Sequence, residues 1–128
     1  MTRRRILVVE DNERNLKLVR DVLQFAGYDV ILARSGEQGV ALARERAPDL
    51  VLMDLQLPTM DGTEALRILR DDPLTREIPV IAVTAFAMKD DRERALRAGF
   101  DSYLEKPISV RAFPEQVRGF LHRKEHPG

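Results

Sequence analysis

At 128 residues and 44% apolar, the chain has the length of one ordinary domain and enough apolar content to bury a real core. Lys plus Arg number 21 and Asp plus Glu number 21, so no net field draws the whole molecule to nucleic acid or an anionic membrane, and any binding must be local. There is no cysteine, which removes disulfides, redox dithiols and thiolate metal sites and suits a reducing, cytoplasmic setting.

Arg3-Arg4-Arg5 reads as a solvated lead-in to the apolar run Ile6-Leu7-Val8-Val9. That run is too short for a signal peptide, and no stretch elsewhere approaches the length of a membrane span, so a soluble protein with no membrane insertion is expected. Apolar runs then alternate five times with amphipathic stretches, as in a parallel sheet built from βαβ units. The first strand, 5–10, ends on Glu10-Asp11. A helix over 14–26 follows, with Leu16, Val19, Leu23 and Ala26 at helical spacing as its core face and Gly27 as a left-handed stop. After a strand at 28–32, Ser35-Gly36 opens a helix over 37–47 that Pro48 ends. The strand 50–54 ends on Asp54, and Asp61 caps a helix over 63–71 that fades into Asp71-Asp72-Pro73. The strand 79–84 ends on Thr84. The helix predicted over 88–98 has only a thin apolar stripe, the mark of a weakly anchored, movable element. A strand at 101–105 runs into Lys106-Pro107, and a last helix spans 109–123, its first turn made irregular by Pro114.

Mostly apolar strands at 50–53 and 80–83 imply cover on both faces, hence an open doubly wound α/β sheet. With no repeat, linker or low-complexity tract, one domain over 1–128 is expected, with 122–128 as a flexible tail.

In open α/β sheets ligands bind beyond the carboxyl ends of the strands, where Glu10, Asp11, Asp54, Thr84 and Lys106 all fall. Clustered carboxylates repel, and a divalent cation keeps them ionised; hard oxygen ligands favour Mg²⁺ or Mn²⁺ over zinc. A carboxylate can also be the nucleophile in phosphoryl transfer, with an ammonium and a hydroxyl from Lys106 and Thr84 on the phosphoryl oxygens. No Ser sits beside a base, and the only histidines, His122 and His126, lie in the tail, so a hydrolase triad does not fit. Each residue also has a plainer reading: Glu10 or Asp11 as a helix cap, Asp54 as a strand end, Lys106 as a surface lysine, Pro107 as a turn proline, Tyr103 as a half-buried core aromatic.

In order, Glu10-Asp11, Asp54 with Pro58-Thr59-Met60-Asp61-Gly62, Thr84-Ala85 and Lys106-Pro107 resemble the receiver domain of two-component response regulators over nearly the whole chain. The stretches 9–13, 82–88 and 106–110 further resemble the stand-alone, single-domain type of that family. The resemblance implies a flavodoxin-like fold with strand order 2-1-3-4-5, and Asp54 as the acceptor of phosphate from a phosphohistidine on a histidine kinase or phosphotransfer protein. It implies Mg²⁺ on Asp11, Asp54 and the main-chain carbonyl of Gln56, with Glu10 acting through metal-bound water. Lys106, Thr84 and the Ala85 N–H would bind phosphoryl oxygens, a cis Lys106-Pro107 bond would aim the ammonium at the pocket, and Tyr103 would turn inward when Thr84 moves. Gln56 and Phe86 occupy the positions that tune phosphate lifetime.

Output is then expected through protein binding on the 88–123 face, with the first helix, carrying Arg14, Lys17 and Arg20, as the kinase dock. No DNA-reading helix-turn-helix follows, so direct nucleic-acid binding is not expected. Three rivals use the same residues: a phosphorelay shuttle, a Mg²⁺-dependent phosphatase and a phosphate-independent scaffold. The phosphatase usually wants a second acid near the nucleophile, and Gln56 stands two residues after Asp54, so the protein is expected to catalyse only its own phosphorylation and dephosphorylation.

Overall fold

The computed structural model describes residues 3–85 and 89–125, with the side chains of 89 and 123–125 left aside. Five strands alternate with five helices: β1 (Arg5–Val9), α1 (Glu13–Phe25), β2 (Asp29–Ala33), α2 (Gly36–Arg46), β3 (Leu50–Asp54), α3 (Gly62–Asp71), β4 (Val80–Thr84), α4 (Lys89–Ala98), β5 (Ser102–Glu105) and α5 (Phe113–Glu125). All pairings are parallel, in the order β2-β1-β3-β4-β5. The doubly wound α/β sheet expected from the sequence is what forms.

Period-two side-chain alternation divides the strands between two cores. Leu7 and Val9 of β1, Val51 and Met53 of β3, and Val80 and Ala82 of β4 pack with α2, α3 and Ala95 of α4. Ile6, Val8, Leu50, Leu52, Ile81 and Val83 pack instead with Leu16, Val19 and Leu23 of α1 and with Phe113, Val117 and Leu121 of α5. β3 and β4 are buried at every position, which is why their sequences lack polar interruptions before the terminal Asp54 and Thr84.

Helices α1, α2 and α3 begin at side-chain caps. Asn12, Ser35 and Asp61 accept from the N–H groups of Asn15, Gln38 and Glu64, so Asp61 caps α3 as expected. Capping of α1 falls to Asn12, which removes the plainer reading of Asp11. Gly27, at φ +98°, follows the end of α1.

Three expectations shift. Ala26 is not on the core face: it is the C-cap of α1 and exposed, because the helix has ended one residue earlier. The last helix begins at Phe113, not 109. Ser109 Oγ accepts from Ala112 N at 3.1 Å and its carbonyl from Phe113 N at 2.8 Å, forming a separate turn that leads into a helix with Pro114 in its first turn. That helix continues to Glu125, so residues 122–125 are helical rather than a tail; 126–128 lie outside the described residues. Met88, where the fourth helix was expected to begin, also lies outside them.

At the amino ends of the strands Arg70 ties two loops together. Its guanidinium donates to the carbonyls of Arg76 (3.0 Å), Ile78 (2.7 Å) and Gly99 (3.3 Å) and pairs with Asp101 at 2.8 Å, while Asp101 also accepts from Val80 N at 2.8 Å. Arg70→Met keeps the aliphatic stem and removes the fork. It should destabilise the fold by about 1–3 kcal/mol in urea unfolding; an unchanged midpoint would show that the tie has no net worth.

Candidate phosphoacceptor site

The strand register delivers five chemical groups to one end of the sheet. The ladders continue one residue past the strands: Glu10 N donates to Ala33 O (3.0 Å), Leu55 N to Val83 O (3.1 Å) and Lys106 N to Thr84 O (2.8 Å). The backbone therefore holds Glu10, Asp54, Thr84 and Lys106 side by side, next to the gap between β1 and β3 where strand order reverses.

Glu10, Asp54 and Thr84 are each 4% exposed, whereas Asp11 faces solvent. Carboxylate oxygens of Glu10, Asp11 and Asp54 lie within 4.8 Å of one another. The Lys106 ammonium enters this group, 2.9 Å from Asp54 Oδ2 and 3.0 and 3.2 Å from the two Glu10 oxygens. The Lys106-Pro107 bond is cis, as expected. Asp54 Oδ1 accepts from Gln56 N at 2.9 Å, so both oxygens of this carboxylate are oriented, one by the backbone and one by the ammonium.

Close approach shapes the loop after Asp54. A Cβ on Gly62 would stand 2.7 Å from the Asp54 carbonyl oxygen, so only glycine lets α3 start against the strand end. Asn15, one turn into α1, was not singled out from the sequence; it donates to Glu10 Oε1 at 3.2 Å. An Asn five residues past a strand-end acid, on the inner face of a predicted helix, was the available signal.

Of the remaining expected residues, Ala85 is exposed at the end of β4 and Gln56 is exposed beyond β3. Tyr103 is half-buried, and the Arg92 guanidinium of α4 lies over its ring at 5.1 Å from the centroid. Phe86 lies outside the described residues.

Burial, and then the neighbouring Asp54, raise the Glu10 carboxyl above its ordinary 4.5. Burial alone would lower the Lys106 ammonium, but its hydrogen bonds to Asp54 and Glu10 more than offset this and hold it above its ordinary value. Three carboxylates against one ammonium leave an excess of negative charge on hard oxygen donors, a donor set that fits a divalent cation such as Mg²⁺.

With this fold and this cluster in view, the relationships are unambiguous. Residues 6–118 match the response regulator receiver domain, and the chain belongs to that family. It is 52% identical over 116 residues to the polar-differentiation response regulator DivK of Brucella ovis, covering 91% of this chain and 94% of the relative. Among solved structures it resembles a CheY-like receiver domain protein from Methanospirillum hungatei, with TM-score 0.87, 32% identity and coverage of 99% and 100%. It also resembles the receiver domain of a sensor histidine kinase from Pseudomonas aeruginosa that holds a magnesium ion in its active-site cleft, with TM-score 0.86, 36% identity and coverage of 94% and 99%. The chain is thus a response regulator receiver of two-component signalling. Among the described residues no helix is long and apolar enough to cross a membrane.

The charge balance makes a sign-defined prediction for the metal-free protein. Because the folded state holds the Glu10 proton more tightly than the unfolded chain, the stability from this group is full below pH 4.5 and is lost as pH rises through its raised folded value. The unfolding free energy of wild type relative to Glu10→Gln should therefore fall across that window; a difference that rises with pH would reverse the assignment. Asp11→Ala should raise the metal-free melting temperature at neutral pH, by no more than about 1 kcal/mol of stability because Asp11 is exposed.

Proposed function

We propose that the chain accepts a phosphoryl group on Asp54 from the phosphohistidine of a histidine kinase or phosphotransfer protein, and signals by binding a protein target selected by phosphorylation state. The observation that carries this reading is the Lys106 ammonium lying between Asp54 and Glu10 with Asp11 alongside.

In the transfer, an Asp54 oxygen attacks phosphorus, the P–N bond to the donor imidazole breaks, and the leaving nitrogen takes up a proton. Lys106 already sits at hydrogen-bond distance from Asp54 Oδ2 and is the group placed to follow charge onto the phosphoryl oxygens. The Thr84 hydroxyl and the Ala85 N–H take the others. The Gln56 N–H keeps the carboxylate from rotating. Asp11, Asp54 and the Gln56 carbonyl would hold Mg²⁺, or Mn²⁺ in its place, with Glu10 acting through a metal-bound water. When bound, the cation supplies charge neutralisation that lets two anionic oxygens approach each other.

Output fits the opposite side of the site. Among the described side chains of α4 only Ala95 is buried in the core, and Leu96 is 49% exposed. A helix held so lightly can be repositioned when Thr84 and Tyr103 rearrange, changing the surface made by α4, β5 and α5. α1 presents Arg14 and Lys17 to solvent, with Arg20 at its flank, as the dock for the phosphodonor. Work in the cytoplasm, without direct nucleic-acid contact and without turnover of other substrates, follows from this role.

Incubation with acetyl phosphate and Mg²⁺ should add one phosphoryl group by intact mass to the wild type and none to Asp54→Asn. Labelling that persists in the variant, or that needs no divalent cation, would overturn the assignment. Asp11→Ala should weaken Mg²⁺ binding by about tenfold or more, the loss of one charged ligand.

A further inference from the structure

The loop joining β3 to α3 contains a residue in a conformation its type disfavours. Thr59 has φ +61°, in the left-handed region that β-branched residues rarely adopt. Across it, Met60 N donates to Pro58 O at 2.6 Å, the hydrogen-bond pattern of a γ-turn, whose positive-φ form is rare and strained. Such a residue persists only where its surroundings hold it.

What holds it comes from another element. The Thr59 hydroxyl donates to Glu37 Oε2 at 2.7 Å and its oxygen also lies 2.7 Å from the Pro58 carbonyl. Hydrogen bonding to Thr59 is also the main reason the Glu37 carboxyl stays below its ordinary value. Glu37 stands in the first turn of α2, whose start is itself fixed: Ser35 Oγ accepts from Gln38 N at 3.1 Å, and Gln38 Oε1 accepts from Arg34 N at 2.8 Å. Next to it Met60 closes on Gly36, where a Cβ would stand 3.1 Å from the Met60 carbonyl oxygen. The same loop begins at Asp54 and Gln56 and is closed at its far end by Gly62 N on Leu55 O at 3.2 Å.

We propose that Glu37 is a positioning residue for the phosphoacceptor site: by holding Thr59 in its strained turn, it fixes the loop that presents the Gln56 carbonyl and orients Asp54. The inference rests on the reading of Gln56 as a metal ligand. Its physical content is that one hydrogen bond from α2 offsets left-handed strain three residues from that carbonyl. The loop without the bond relaxes to ordinary φ and carries Gln56 away.

Two variants break the bond independently: Glu37→Ala, and Thr59→Val, which keeps the β-branched shape and loses the hydroxyl. Both should weaken Mg²⁺ affinity about two- to tenfold, the worth of one hydrogen bond, and both should shift the Gln56 amide resonance in the metal-free protein. Glu37→Gln, which retains an acceptor, should bind Mg²⁺ within about twofold of wild type. Glu37→Ala combined with Thr59→Gly should recover most of the loss, because glycine takes positive φ without strain.

Folded variants with wild-type Mg²⁺ affinity and an unmoved Gln56 resonance would overturn the proposal, as would failure of Thr59→Gly to rescue Glu37→Ala. Wild-type protein that binds no Mg²⁺ would instead overturn the metal reading, and the Gln56 resonance would still decide whether Glu37 sets the loop.

Discussion

The Lys106 ammonium, held between Asp54 and Glu10, is the contact on which the rest of the site depends. Two carboxylates each 4% exposed, with a third within 4.8 Å, repel one another at the very place where the sheet could otherwise end on apolar or capping residues. One ammonium partly offsets that repulsion: burial and the neighbouring Asp54 raise the Glu10 carboxyl above its ordinary value, and hydrogen bonds to Asp54 and Glu10 outweigh burial in raising the Lys106 ammonium. A site left short of positive charge suits a divalent cation on its hard oxygen donors. The same imbalance is a stability cost that the two apolar cores must carry.

Those cores also explain why the geometry can be tight. Lys106 comes from the far edge of the described sheet and Glu10 from β1, 96 residues apart, yet they meet at hydrogen-bond distance. Parallel register, continued one residue past each strand, sets the heights of Glu10, Leu55 and Lys106 through backbone bonds to Ala33, Val83 and Thr84. Side chains on rigid strand ends lose less freedom on meeting than side chains on loops, so the constellation is nearly formed before any ligand arrives.

Much of this was legible in the residues, for identifiable reasons. β3 and β4 are buried on both faces and so read as unbroken apolar runs, and their terminal Asp54 and Thr84 stand out against them. Asp61 sits in a local capping pattern that needs no tertiary information. What escaped depends on partners distant in sequence or on competition between neighbours. Ala26 fits the apolar spacing of α1, but the helix stops first. Ser109 begins a turn that looks like helix until its side chain is seen to accept from Ala112. Arg70 is one of many arginines in the chain, and nothing local distinguishes it from those that merely face water; only the fold brings Gly99 and Asp101 to it. Thr59 and Glu37 are 22 residues apart, and neither is unusual until the backbone angle of Thr59 is known.

The two sides of the site differ in how firmly they are held, and this gives signalling a direction. Toward α2 the loop after Asp54 is fastened by the hydrogen bond of Thr59 to Glu37, by the contact of Met60 with Gly36 and by the Asp61 cap. Toward α4, one alanine is buried among the described side chains, and the Arg92 guanidinium covers a tyrosine that is itself only half-buried. A charge added at Asp54 would stress both sides, and displacement would follow the softer one. Arg92 over Tyr103 is a contact of about 0.5–1 kcal/mol at an exposed site, so it adds little to the hold on α4. A change at a buried carboxylate can therefore reach the surface through α4 and β5 while α2 and α3 stay in place.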